Sequence, residues 1–161
     1  PAATRRLVEA ICDSPPTVFR QRDTFFPCPH GRLKLREIAA GDSQAGQAEL
    51  IAYERADVAA ARQSDYDIAP VSDPKPLALV LGRAFGTGQI VEKTRLLFHV
   101  GQTRVHLDAV SGLGDFLELE VVLRPSQSVA EGRAIATDLM RALGIGPADL
   151  VDTAYADMLA G

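Results

Sequence analysis

The chain has 161 residues, of which 47% are hydrophobic and 24% charged, with a net charge of −4. That is enough chain for one domain with a proper core, so residues 1–161 are expected to form a single domain, and the acidic balance gives no sign of a nucleic-acid partner. No apolar run approaches a membrane span, no secretory signal is visible, and Cys12 and Cys28 lack a spaced metal pattern, which reads as the reduced thiols of a cytoplasmic protein.

Residues 2–12 read as a helix, with Leu7, Val8 and Ile11 at helical spacing, and Asp13, Ser14, Pro15 and Pro16 stop it. Thr17 to Phe26 reads as a strand, 27–31 as a turn, and Arg32 to Glu37 as a second strand that closes a hairpin. Cys28 and His30 in that turn are two ligands at most, too few for zinc. A polar loop over 41–47 precedes a strand from Ala48 to Arg55. Residues 57–76, polar and with three prolines near the end, read as an extended connection, followed by a helix over 77–85. Strands follow over 89–100, 103–110 and 114–124, then a helix over 128–143. Pro147 opens a last helix with Leu150, Val151, Ala154, Tyr155, Met158 and Leu159 on one stripe. Six strands with short connections and about four helices make an α+β fold with a mostly antiparallel sheet.

The strands share a layout in which aliphatic residues take one face and charged residues the other, sorted by sign. Arg32, Lys34 and Arg36 are basic, as are Lys93 and Arg95; Glu118 and Glu120 are acidic; Arg104 and Asp108 share one strand. Alternation puts Glu118 and Glu120 on one face, where they could share a hard cation or simply meet water. If the sheet curls, its charged face needs counter-ions, and a polyanion held with divalent metal would supply them.

The sequence resembles the CYTH domain, also called the triphosphate tunnel metalloenzyme fold, which includes class IV adenylate cyclases, thiamine triphosphatases and inorganic triphosphatases. The resemblance rests on the runs 21–26, 31–37, 50–55 and 91–95, on His106-Leu107-Asp108, and on 112–120, which together cover nearly the whole chain. It implies a closed or nearly closed eight-stranded antiparallel barrel with helices packed outside. It implies that Lys34, Arg36, Arg55, Lys93, Arg95 and Arg104 bind the triphosphate, and that Asp108, Glu118 and Glu120 hold Mg2+ or Mn2+. Arg32 shares their parity. His106 reads as structural, with proton transfer as the alternative.

The family's N-terminal Glu-x-Glu-x-Lys strand has no counterpart here; the chain opens on Pro1, and its first helix looks like the one that follows that strand. Either the natural protein has this first barrel strand and this chain lacks it, or the protein is degenerate, and the unpaired edges left behind would invite a homodimer. The expected partner is a triphosphate-containing small molecule such as ATP, thiamine triphosphate or inorganic triphosphate. The expected reaction is hydrolysis of the terminal phosphoanhydride, with ATP cyclisation or non-catalytic polyphosphate binding as alternatives. Glu120→Gln and Arg95→Ala are expected to damage function more than folding.

Overall fold

The structure, a computed structural model, describes residues 2–40, 46–54 and 66–161. In chain order the elements are α1 (Ala2–Ile11), β1 (Thr17–Phe26), β2 (Arg32–Ala40), β3 (Gln47–Tyr53), β4 (Tyr66–Val71), α2 (Pro74–Phe85), β5 (Ile90–Val100), β6 (Thr103–Val110), β7 (Gly114–Val121), α3 (Val129–Ala142) and α4 (Tyr155–Ala160), with a 3-10 turn at Pro147–Asp149. Seven strands form one sheet in the order β4-β3-β2-β1-β5-β6-β7, and every neighbouring pair is antiparallel. The hairpins explain most of that order, because a short turn brings the next strand back beside the last. Only the β1–β5 pairing joins strands distant in sequence.

Two sequence expectations need correction. The extended connection over 57–76 contains β4, whose prolines and exposed residues hid it; Pro70 sits in an edge strand, where a missing N–H costs no ladder bond. The last helix does not start at Pro147. Leu150 takes extended backbone angles (φ −76°, ψ 131°), and a helical turn resumes only at Tyr155, leaving Leu150 and Val151 exposed. Among the described residues the sheet is open, with β4 and β7 as its edges, so it supports the antiparallel sheet with helices and leaves the barrel unconfirmed.

Helices cover the aliphatic face in two patches. Val8 of α1 and Leu139 of α3, with Leu143, pack on Phe98 and Val105. Leu81 of α2 packs on Phe26 and Leu35. Helix α2 starts at Pro74, which suits a first helical position because its missing N–H would be unbonded anyway. A capping box fixes the start of α3: the Ser128 hydroxyl accepts from the Glu131 backbone N–H, and the Glu131 carboxylate accepts from the Ser128 N–H at 2.7 Å. Helix α4, the shortest of the four α-helices, lies elsewhere. It packs with Ala156 against Val91 and Val110, residues of the opposite, charged face.

Candidate functional site

Strand register decides which side chains meet. Opposed residues of antiparallel neighbours share a face, so Asp23 sits with Arg36, Gln21 with Lys93, Arg95 with Asp108, His106 with Glu118, and Arg104 with Glu120. All of these lie on the face that α1, α2 and α3 leave uncovered.

The face carries two clamps of like design. In the first, Asp23 accepts from Lys34 Nζ at 2.8 Å and from Arg36 Nε and Nη2, both at 2.9 Å. In the second, Asp108 accepts from Lys93 Nζ at 2.8 Å and from Arg95 Nε and Nη2, both at 2.7 Å. Each Lys-x-Arg pair thus grips one buried aspartate through a bidentate guanidinium fork and an ammonium. Strands β2 and β5 flank β1 on either side, which sets the two Lys-x-Arg pairs about two strand spacings apart, roughly 10 Å.

Beyond the second clamp lie the carboxylates of β7. Arg95 Nη2 also donates to Glu118 Oε2 at 2.6 Å, and His106 Nδ1 stands 3.4 Å from the same oxygen. Arg104 Nη1 donates to Glu120 Oε1 at 3.2 Å, and His106 Nε2 is 3.8 Å from Glu120. The imidazole is buried between the two glutamates, a placement that serves to hold them apart. Helix α4 closes over this region: the Tyr155 hydroxyl donates to Asp108 Oδ2 at 3.2 Å, its ring lies 5.0 Å from Lys93 Nζ, and Asp157 forms a bidentate pair with Arg32.

At the carboxylates burial and charge oppose each other. Burial works to raise the Asp23 carboxyl, but the Arg36 hydrogen bond and the Lys34 charge outweigh it and hold it well below the usual carboxylate range. Asp108 is held low in the same way, against burial, by Arg95 and Lys93. Protein crowding works to raise Glu118, while His106 and Arg95 hold it below its ordinary value; because the side chain is 53% exposed, these direct contacts and not desolvation govern its charge. Burial pushes Lys34 down to about 8, with Asp23 partly restoring it. Burial also lowers Lys93, and Arg95 beside it adds to the effect. Burial and the neighbouring Asp108 push the Tyr155 phenol up, so it stays a donor. The clamps feel each other: the charge of Lys93 lowers Lys34 and that of Glu118 raises Arg36.

A prediction about stability follows from Asp23. Its folded pKa lies below the ordinary 3.8, so its contribution to stability is complete above that pH and is lost as pH falls through and below it. Asp23→Asn is expected to cost about 3–5 kcal/mol at neutral pH, because it leaves Lys34 and Arg36 buried without their counter-charge. The gap should narrow at pH 3, where Asp23 of the unfolded chain takes up a proton that the folded carboxylate does not. Urea midpoints at both pH values check this, and a gap that did not narrow would show that Asp23 acts by packing alone.

The structure therefore joins Lys93, Arg95, Asp108 and Glu118 in one network, joins Lys34 and Arg36 through Asp23, and pairs Arg104 with Glu120. Arg55 lies outside the described residues. Arg32 is turned toward α4. Sequence reading missed Asp23, although its alternation with Gln21 in β1 was a usable signal; it missed Tyr155 because only the docking of α4 brings that residue to the face. One cavity of about 650 Å³ holds only Lys93 of the predicted residues and is otherwise lined mainly by the other face, including Arg22 and Glu92. The chemistry here belongs to a sheet face and not to that cavity.

Glu118 and Glu120, two residues apart on one face, offer the hard oxygen donors that Mg2+ or Mn2+ take. Among the described residues no group of three or more His, Cys, Asp or Glu side chains is arranged around a common metal position. The oxygens of Asp108 are engaged by Lys93, Arg95 and Tyr155. The donor chemistry of β7 fits a metal; Asp108 reaches one only if its cations turn elsewhere.

The CYTH domain profile matches residues 2–155. The chain belongs to the CYTH domain family. CYTH proteins in general are metal-dependent and bind triphosphate substrates. Solved structures share the fold: a protein of Pyrococcus horikoshii OT3 has a TM-score of 0.79 at 22% identity, covering 97% of this chain and 92% of its own. A second protein of that organism has a TM-score of 0.82 at 16% identity, covering 99% and 93%. A Vibrio parahaemolyticus protein provisionally assigned as an adenylate cyclase has a TM-score of 0.74 at 20% identity, covering 99% and 91%. No curated protein matches the chain significantly. Among the described residues no helix is long and apolar enough to cross a membrane.

Proposed function

We propose that this CYTH protein is a divalent-metal-dependent enzyme that hydrolyses the terminal phosphoanhydride of a triphosphate. The observation that carries the reading is the pair of clamps: four cations on one face, Lys34, Arg36, Lys93 and Arg95, against two buried aspartates. Each clamp sets two cations against one carboxylate, and each aspartate holds its cations in the geometry a phosphate would use. A bound triphosphate takes over the guanidinium forks and ammonium groups. Arg55 and Arg104 join them in binding.

Asp108, released as Lys93 and Arg95 turn to phosphate oxygens, becomes available beside Glu118 and Glu120 as the third metal-binding carboxylate. The metal, when bound there, neutralises phosphate oxygens and supplies an activated water. Arg95 stands beside Glu118 and is placed to stabilise the charge that grows on the leaving diphosphate. His106 holds Glu118 and Glu120 in place. The water oxygen bonds to the terminal phosphorus as the bond to the bridging oxygen breaks, releasing orthophosphate. Free thiols at Cys12 and Cys28 support a cytoplasmic setting.

The likeness to the Vibrio parahaemolyticus protein makes ATP cyclisation the second reading. Incubation with inorganic triphosphate and with ATP, under Mg2+ or Mn2+, separates the two. Orthophosphate released only with metal is the expected result. Cyclic AMP with pyrophosphate would replace hydrolysis by cyclisation, and saturable binding without turnover would leave a polyphosphate-binding protein.

A further inference from the structure

The charged face does not stop at β2. It continues across β3 and β4 as an apolar surface, and an aromatic pair marks the join. The rings of Phe25 and Tyr53 lie 5.6 Å and 5.4 Å from Lys34 Nζ. Tyr53 opposes Tyr66, and Ile51 opposes Ile68, so all four share the face that carries Lys34, which itself opposes Ile51. Tyr66 is 54% and Ile68 48% exposed. An exposed apolar pair on an edge strand is an unfavourable arrangement for a soluble surface, and it stands directly beside the cation clamps.

We propose that this surface seats a planar heteroaromatic group carried by the triphosphate, so that the substrate is an organic triphosphate and not the bare inorganic ion. The proposal rests on the triphosphate reading above. Lys34 is the joint between the two halves. Its ammonium touches Asp23 on one side and the aromatic pair on the other, so the phosphate that replaces Asp23 there is the one nearest the organic group. From β2 to β4 is two strand spacings, roughly 10 Å, which leaves room for a sugar or similar linker before a ring reaches Tyr66. Tyrosine suits the task because its ring stacks on any flat heterocycle while its hydroxyl keeps the unliganded surface wettable. Among the described residues Glu49 is the one charged side chain of β3 and β4 on this face, and Ile51 and Ile68 stand between it and the tyrosines, so the surface selects for flatness and not for a second phosphate.

The test is calorimetric binding of ATP, thiamine triphosphate and inorganic triphosphate to the full chain and to Tyr53→Ala, Tyr53→Phe and Tyr66→Ala, with sedimentation of each protein. ATP or thiamine triphosphate is expected to bind the natural chain at least about 10-fold tighter than inorganic triphosphate, and which of the two does so identifies the heterocycle. Both alanine variants should lower the ratio of organic to inorganic affinity by about 10-fold, and Tyr53→Phe should keep it. Tyr66 is exposed on an edge strand, so its alanine variant tests the idea even if Tyr53→Ala folds poorly. Equal affinity for all three ligands in the natural chain overturns the proposal, as does an equal loss for all three in the variants. A change from dimer to monomer with the ratio intact overturns it too, and assigns the surface to a second copy of the chain. Failure of all three triphosphates to bind would instead remove the reading on which the proposal rests.

Discussion

Arg95→Ala is expected to lower affinity for inorganic triphosphate on the order of 100-fold, since two charge-assisted contacts worth about 1.5–3 kcal/mol each are lost together. The arginine reaches both the second clamp and β7, through Asp108 at 2.7 Å and Glu118 at 2.6 Å. Its removal also has a folding cost that the sequence did not suggest. The side chain is 12% exposed and Asp108 is fully buried, so the variant leaves a buried carboxylate with Lys93 and Tyr155 alone. Breaking a buried pair in this way costs about 3–5 kcal/mol. Function and stability are therefore expected to fall together at Arg95, whereas Glu120→Gln, at a half-exposed position, should impair function with little effect on folding. Arg95→Lys distinguishes charge from shape: it keeps the cation and loses the fork, and should recover stability more than affinity. Calorimetry with inorganic triphosphate and urea denaturation measure the two quantities. Full affinity in a destabilised Arg95→Ala protein would make the residue structural only.

Triphosphate affinity should fall as pH rises through about 8, because Lys34 loses its proton there and with it a phosphate contact. The cause is burial, which disfavours the ammonium, only partly offset by Asp23. The loss should reach roughly 10-fold, the value of one hydrogen bond to a charged group. Lys34→Arg should flatten the profile, since a guanidinium stays charged throughout this range. Stability moves the other way. The folded protein releases the Lys34 proton near pH 8 while the unfolded chain holds it to 10.5, so between those values the unfolded state binds more protons and rising pH favours folding at this group. Binding that weakens while the urea midpoint holds or rises would match this assignment. A flat affinity profile in the natural chain would show that Lys34 does not contact the anion.

Much of the charged face was legible from alternation. Lys34 with Arg36, and Lys93 with Arg95, fall two residues apart in segments too apolar on the intervening positions to be anything but strands, and a period of two fixes a common face whatever the sheet does next. The same logic places Glu118 with Glu120. Local pattern failed where a competing cue was stronger. Prolines disguised β4, and a plausible apolar stripe extended the last helix back through Leu150 and Val151, which the chain leaves exposed.

The sequence by itself determined the strand parity, the sign of each strand's charge and the membership of the CYTH family. It could not determine partners, because partners depend on register and on which strands become neighbours. Only the tertiary structure decided that β1 lies between β2 and β5, that Asp23 neutralises Lys34 and Arg36, that α4 delivers Tyr155 to Asp108, and that Tyr53 lies beside Lys34 and opposite Tyr66. The physical reason is range: alternation is a property of neighbouring residues, whereas a buried charge is satisfied by whatever the whole fold brings within 3 Å of it.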